Sequence, residues 1–152
     1  MDADAPIDVD TVLAPVDGSD ESAVAAEYAV AVADRYDATL YVVFVIGESV
    51  SRAIETGDLD ADEVADSHRA FVGDVRGVAA DHDVAMRASV AYGFSTTRKL
   101  QHPGSVILDT AEDVGADFIV VPRESMGADE GEVLEKAAEY VLLYASQPVL
   151  SV

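Results

Sequence analysis

Cysteine is absent from the 152 residues. This excludes a disulfide framework and a thiolate metal site. Lysine is nearly absent too: of the nine basic residues only Lys99 and Lys136 are lysine, and the nine face 30 acidic ones for a formal net charge of -21. Phosphate backbones are held by Lys and Arg, so no nucleic-acid partner is expected. No apolar run approaches the roughly 20 residues that a membrane helix needs; the longest clean one spans residues 40–46. No membrane association is therefore expected. The first ten residues, MDADAPIDVD, are acidic and lack the apolar core of a secretory signal. A cytoplasmic location is the expectation.

Catalytic signatures are missing as well. The chain has no P-loop, no Rossmann glycine fingerprint and no Gly-x-Ser-x-Gly nucleophile elbow. His68, His82 and His102 have no partner at metal-ligand spacing. A response-regulator receiver would carry an acidic phosphoacceptor where the third strand ends, but Tyr92-Gly93-Phe94 stands there. An ATP pyrophosphatase would place Ser-Gly-Gly-x-Asp-Ser after the first strand, and this chain has PVDGSDES. Nothing positive points to an enzyme, and no catalytic or metal-binding residue is assigned.

What is present is an ample hydrophobic complement. Apolar residues make up 50% of the chain, so this is not an acidic disordered segment. The length suits one domain with a real core, here residues 10–152 after an acidic lead-in over 1–9. A folded surface this acidic repels itself in dilute buffer. Molar salt shortens the screening length to about 3 Å and removes most of that repulsion. The composition thus reads as halophilic, against the simpler alternative of an acidic mesophilic protein.

The organising stretch is TVLAPVDGS, residues 11–19. Val12, Leu13, Ala14 and Val16 form a short apolar run, and Asp17-Gly18-Ser19 turns it into an alanine-rich helical pattern. This predicts a buried parallel strand over 10–16, central in its sheet, with ligands expected at its carboxyl end. Ser19 is the expected cap of a helix over 20–36, whose Val24, Tyr28, Ala31 and Val32 recur at helical spacing. Residues 39–46, TLYVVFVI, predict a doubly buried second strand. A polar loop is expected over 47–58 and a helix over 59–81, with Val64, His68, Phe71, Val75 and Val78 on one face. Then come a third strand (84–91), a loop (92–104) and a helix (105–114) capped by Ser105. In that helix Ile107, Ala111 and Val114 face inward. A fourth strand (118–121) and a loop (122–129) lead to a helix over 131–146 with Leu134, Ala138, Val141, Leu142 and Ala145 inward, and a last strand covers 148–152. The alternation predicts an α/β fold: a single doubly wound five-stranded parallel sheet, strand order 3-2-1-4-5, with helices on both faces. A crevice between the first and fourth strands would be lined by Asp17 and the loop after Val121.

Three segments in order, TVLAPVDGSDES, ILDTAEDVGADFIVVP and AEYVLLYASQPVLSV, resemble the universal stress protein family. The resemblance covers nearly all of the chain after residue 9. It implies the same five-stranded fold, a stress-response or regulatory role, and a homodimer. Nucleotide-binding members carry Gly-x2-Gly-x9-Gly-Ser/Thr after the fourth strand. Aligned on Ala138-Glu139-Tyr140-Val141, those positions fall on Pro122, Ser125, Glu135 and Lys136. The glycines let backbone N–H groups approach phosphate oxygens closely; Pro122 has no N–H, and Glu135 puts a carboxylate where phosphate would sit. The resemblance also places Pro15, Val16 and Asp17 at base and ribose, and the backbone of Val45 at the base. The other reading of Asp17 is that it ties down the turn, and of Val45 that it is an ordinary strand residue. Arg123 and Lys136 either meet an anion in a remodelled site or pair with Glu132, Glu135 and Glu139. Weak or no ATP binding is expected, and no resident cofactor. The alternative is an ATP-binding switch with altered phosphate contacts.

Two further features stand apart. Residues 84–108 contain no acidic residue but include Arg87, Arg98, Lys99 and His102. The loop with Arg98 and Lys99 is read either as a buried or subunit-facing segment or as an anion contact. The closing QPVLSV, with Pro148 suited to an edge and no lysine to block pairing, predicts that Val149, Leu150 and Val152 form a dimer edge with a second copy. For the chain as a whole, the -21 charge predicts a melting temperature, followed by circular dichroism, that falls as KCl is lowered from molar to millimolar. An unchanged melting temperature would count against halophily.

Overall fold

A computed structural model describes residues 7–92, 103–123 and 132–152; within these, the side chains of Glu48, Tyr92 and residues 132–136 are left aside. The elements run β1 (Thr11–Val16), α1 (Asp20–Tyr36), β2 (Thr39–Ile46), α2 (Glu48–Thr56), α3 (Ala61–Asp81), β3 (Met86–Tyr92), α4 (Pro103–Val114), β4 (Phe118–Val121), α5 (Glu132–Tyr144) and β5 (Val149–Ser151). All strand pairs are parallel and the order is β3-β2-β1-β4-β5, as the alternation predicts. Strand β1 is registered on β2 from Thr11↔Thr39 to Val16↔Phe44, and on β4 through Val12↔Phe118 and Leu13↔Ile119.

The core is split by the sheet. On one face, Val12, Ala14, Val16, Leu40, Val42 and Phe44 meet Ala25, Ala29, Val30 and Ala33 of α1 and Val75 and Ala79 of α3. On the other, Leu13, Val43, Val45, Ile119 and Val121 meet Ile107 and Ala111 of α4 and Ala138 and Val141 of α5. The first face extends upstream of β1, with Val9 fully buried and Ile7 packed on it.

Four local expectations are corrected. The expected polar loop over 47–58 holds helix α2, bracketed by Gly47 and by Gly57 at φ 82°. Val50, Ala53 and Ile54 supply a half-buried side at helical spacing, a stripe too short to stand out between glycines. In α1 the buried face is Ser22, Ala25, Ala26, Ala29, Val30 and Ala33. The predicted Val24 and Tyr28 are exposed at 46% and 51%. Small side chains let the helix lie close to the sheet, and the bulky ones are displaced to its flank. Leu142 of α5, expected inward, is 50% exposed for a related reason: Ala138 and Val141 already fill that contact. Helix α4 starts at Pro103 rather than after Ser105; proline suits the first helical position, where its missing N–H has no intrahelical partner anyway.

Helices α4 and α5 touch unusually closely. A Cβ on Gly104 would stand 2.6 Å from Cβ and Cδ1 of Tyr140, nearer than side chains tolerate. Replacing a helical glycine by alanine ordinarily gains about 1 kcal/mol, whereas overpacking costs about 1–3 kcal/mol. Gly104→Ala should therefore lower stability in urea denaturation at molar KCl. An equal or higher midpoint would show that the two helices have room to separate.

Candidate functional site

Because β1 is followed by α1 on one face and β4 by α5 on the other, the sheet has its switch point between their carboxyl ends. Such a switch point opens a crevice in doubly wound sheets. Pro15 and Val16 are buried at the end of β1, and Asp17 follows. Gly18 adopts φ 87°, a left-handed backbone that calls for glycine. The ring of Phe44 lies 3.4 Å from where a Cβ would be, an ordinary van der Waals contact.

The corner after β1 is a closed hydrogen-bond circuit. The Ser19 N–H and hydroxyl both donate to Asp17 Oδ1, at 3.0 and 2.5 Å. Ser19 Oγ in turn accepts from the Ser22 N–H at 3.1 Å, which caps α1. The Ser22 hydroxyl donates to the Ser19 carbonyl at 2.9 Å and accepts from the Asp17 N–H at 3.3 Å. So Asp17 does tie down the turn. Its other oxygen, Oδ2, is buried without a partner. Burial raises the Asp17 pKa above the usual carboxylate value, and the hydrogen bonds from Ser19 and Ser22 oppose that rise only in part.

On the neighbouring strand, β1 pairing ends at Val16↔Phe44, so Val45 and Ile46 run on beyond it. Val45 is buried, its side chain in the core beneath α4 and α5. The Phe44 ring points to the opposite face. It stacks on His68 at 3.9 Å between centroids and meets Phe71 edge-on at 5.9 Å. Burial lowers the His68 pKa, in keeping with a residue at the rim of the core.

After β4, Pro122 is buried and Arg123 is exposed. The Arg123 N–H donates to the Val152 carbonyl at 2.7 Å, and the Val152 N–H to the Val121 carbonyl at 2.9 Å. One of the first two residues after β4 thus has no N–H, and the other has already spent its own on β5. The use of the Arg123 amide was not legible beforehand, because it depends on the β4–β5 register, Val121↔Ser151. Glu135 and Lys136 lie in the opening turns of α5, their side chains outside the described ones. Ser125, and the candidate anion loop with Arg98 and Lys99, lie outside the described residues. Ser151 is a residue the sequence did not flag: its Oγ is buried without a partner. It stands at the carboxyl end of β5, as Asp17 stands at that of β1, with β4 between them. Val149, Leu150 and Val152 are half-buried on or next to β5, the edge of the sheet.

Elsewhere, an open groove of about 560 Å³ lies between the carboxyl-terminal ends of α4 and α5, lined by Glu112, Asp117, Tyr144 and Gln147 among others. It contains none of the candidate residues. Among the described residues, no cluster of His, Asp and Glu is placed to hold a metal ion. No helix among them is long and apolar enough to cross a membrane.

Comparison with known proteins gives a consistent picture. The sequence profile of the universal stress protein family matches residues 9–152. Universal stress protein MJ0531 of Methanocaldococcus jannaschii is 28% identical over 144 residues, covering 93% of this chain and 80% of the relative. In fold, the chain is similar to universal stress protein UspA from Lactobacillus plantarum (TM-score 0.66, 22% identity, 95% and 97% of the two chains). It is also similar to the universal stress protein from Archaeoglobus fulgidus in complex with dAMP (TM-score 0.62, 20% identity, 95% and 98%).

The Asp17 circuit makes a pH-dependent prediction. A carboxyl whose pKa is raised in the fold weighs against the folded state once it ionises. Its relative stabilisation is complete below the unfolded value of 3.8 and is lost as pH rises through the folded one. Asp17→Asn keeps an acceptor for Ser19 and removes the charge. It should be more stable than the parent at pH 7 in chemical denaturation, with a gap that closes as pH falls toward 4. A gap independent of pH would mean that the charge of Asp17 is not what the corner strains against.

Proposed function

The chain belongs to the universal stress protein family, and from that premise we propose that it is a cytosolic stress-response and regulatory protein of a salt-rich cell, dimeric, with weak or no ATP binding. The observation that carries the nucleotide part is the loss of amides after β4. A phosphate-binding loop works by presenting free N–H groups to oxygen. Pro122 offers none, and the Arg123 N–H is held by Val152. The sequence that follows adds Glu124, Asp129, Glu130, Glu132 and Glu135, which weigh against a triphosphate. Salt screens those charges, but it does not restore missing amides. Among the described residues no catalytic constellation accompanies the crevice, and an enzymatic role is not proposed.

The dimer is proposed to form through β5. Among the described residues that strand has no neighbour on one side of its backbone at the sheet edge, and a two-fold axis would let it pair with its copy. A second reading, an ATP-binding switch with remodelled phosphate contacts, draws support from one feature: the unpartnered Asp17 Oδ2 and Ser151 Oγ flank the carboxyl end of β4. Calorimetry in molar KCl separates the two. The preferred reading predicts an ATP Kd weaker than about 100 μM, near 5.5 kcal/mol of binding. A micromolar site would overturn it in favour of the switch. In that assay, changing Pro122→Gly, Ser125→Gly, Glu135→Gly and Lys136→Ser together should strengthen binding.

A further inference from the structure

We propose that the β3 edge of the sheet receives an acidic, extended segment of another protein as an added strand. The inference is independent of the dimer and nucleotide readings above.

Strand β3 closes the sheet at the end opposite β5. It is seven residues long, against three for β5, and among the described residues nothing pairs with its outer side. The register fixes which backbone groups face outward. Leu40 is registered on Met86, and the Leu40 N–H donates to the Ala85 carbonyl at 2.9 Å. In a parallel ladder a residue bonds to the two neighbours of its registered partner, so alternate residues serve one side. Arg87 and Ser89 therefore turn their backbone groups toward β2, while Met86, Ala88 and Val90 turn theirs outward. The Met86 carbonyl already accepts from Arg76 Nη1 of α3 at 3.2 Å. What the edge offers a new strand is the N–H and C=O of Ala88 and Val90.

Side chains set what that strand must carry. Met86 packs against the core beneath α3, but Ala88 beyond it is exposed and Val90 is 57% exposed. Both share the sheet face of their registered partners, Val42 and Phe44. Arg87 is exposed on the opposite face. Side chains of neighbouring strands meet on a shared face, and opposite charges there attract. The occupant therefore alternates: apolar residues lie against Ala88 and Val90, and a carboxylate lies against Arg87.

Charge complementarity identifies the occupant as acidic. The chain as a whole carries -21 and would draw basic partners. Residues 84–108, which include β3, have no carboxylate at all, and Arg76 and Arg87 stand at the strand itself. A second copy suits the edge poorly, because a two-fold mate brings another Arg87 to it and like charges across strands repel. A basic residue on an edge thus discourages self-pairing while leaving the ladder open to an acidic strand. Main-chain bonds would give the affinity and alternate side chains the selectivity.

The test uses two short end-blocked peptides, one alternating valine with glutamate and one alternating valine with lysine. Molar KCl screens the long-range field and leaves contact charges to decide. The glutamate peptide should bind about fivefold more tightly than the lysine one, the size of a cross-strand charge pair. Arg87→Glu should reverse that order. In amide hydrogen exchange followed by NMR, Ala88 and Val90 should exchange fast in the free protein and slowly with the glutamate peptide, whereas Ser89 should be slow in both. Val90→Pro deletes an outward N–H and no bond to β2, so it should abolish binding while circular dichroism stays that of the parent. Should that variant misfold, a glutamate peptide N-methylated at its pairing amides replaces it and should not bind. Preference for the lysine peptide, binding of neither, or full binding by Val90→Pro or the methylated peptide would overturn the proposal. So would slow exchange at Ala88 and Val90 in the free protein, which would mean that the edge is already occupied by this chain or its copy.

Discussion

Strand β1 is enclosed on every side, and the molecule is arranged to keep it so. Val12, Leu13, Ala14 and Val16 have no exposed surface. With β2 paired along the whole strand and β4 paired at Val12 and Leu13, the backbone groups in the first half of β1 have partners in both directions. A buried strand with unpaired amides would lose about 1–3 kcal/mol for each orphan, so both neighbours are obligatory. The amino end is clamped by Asp117, whose Oδ2 accepts from the Asp10 and Thr11 N–H groups at 2.9 and 3.1 Å. Asp117 is delivered there by Gly115, at φ 67°, which ends α4 while the Ala116 N–H reaches back to the Ala111 carbonyl. The carboxyl end is clamped by the Asp17–Ser19–Ser22 circuit. One carboxylate at each end of a central strand fixes both the strand and the crevice beside it.

That enclosure explains what could be read in advance. Apolar runs such as TLYVVFVI and FIVV announce buried parallel strands directly, because both faces must be hydrophobic. Element order then leaves few topologies, given right-handed crossovers, and the observed strand order is the one expected. Helix faces were less legible. In α1, the spacing of the bulky residues Val24 and Tyr28 marked a stripe that the structure exposes, while a run of alanines makes the contact with the sheet. Hydrophobicity favours large residues, but a helix lying close to a sheet favours small ones, and the sequence alone does not say which constraint governs. Helix α2 escaped notice because its apolar side has only Val50, Ala53 and Ile54. At the site, the replacement of the first phosphate-loop glycine by Pro122 was legible as residue chemistry. The engagement of the Arg123 amide by Val152 was not, since it depends on where β5 comes to rest.

That engagement also links the two ends of the functional reading. The hydrogen bond from Arg123 to Val152, and that from Val152 to Val121, fasten the last residues of the chain against β4. The amide that a phosphate-binding loop would leave free instead holds the strand proposed to pair with the second copy. Support for β5 and a supply of free amides at the crevice are therefore in competition at this position. With Pro122 beside it, the balance here falls toward the edge.

The crevice end of the sheet also carries two half-buried titratable groups with opposite responses to acid. Asp17 is raised and His68 lowered, each by burial, and they lie on either side of the Gly18–Phe44 contact. As pH falls, the cost of the buried Asp17 charge is relieved as the group protonates. His68 behaves in the reverse sense: its contribution is present above the ordinary histidine value of 6.5 and is lost as pH falls through the depressed one, because the folded site disfavours the imidazolium. The histidine window opens below 6.5. The relief from Asp17 begins near its own raised pKa and is complete only at the ordinary carboxylate value of 3.8. The two terms oppose each other wherever they overlap, so stability of the parent alone is a poor report on either. Each is resolved only against a variant that removes it.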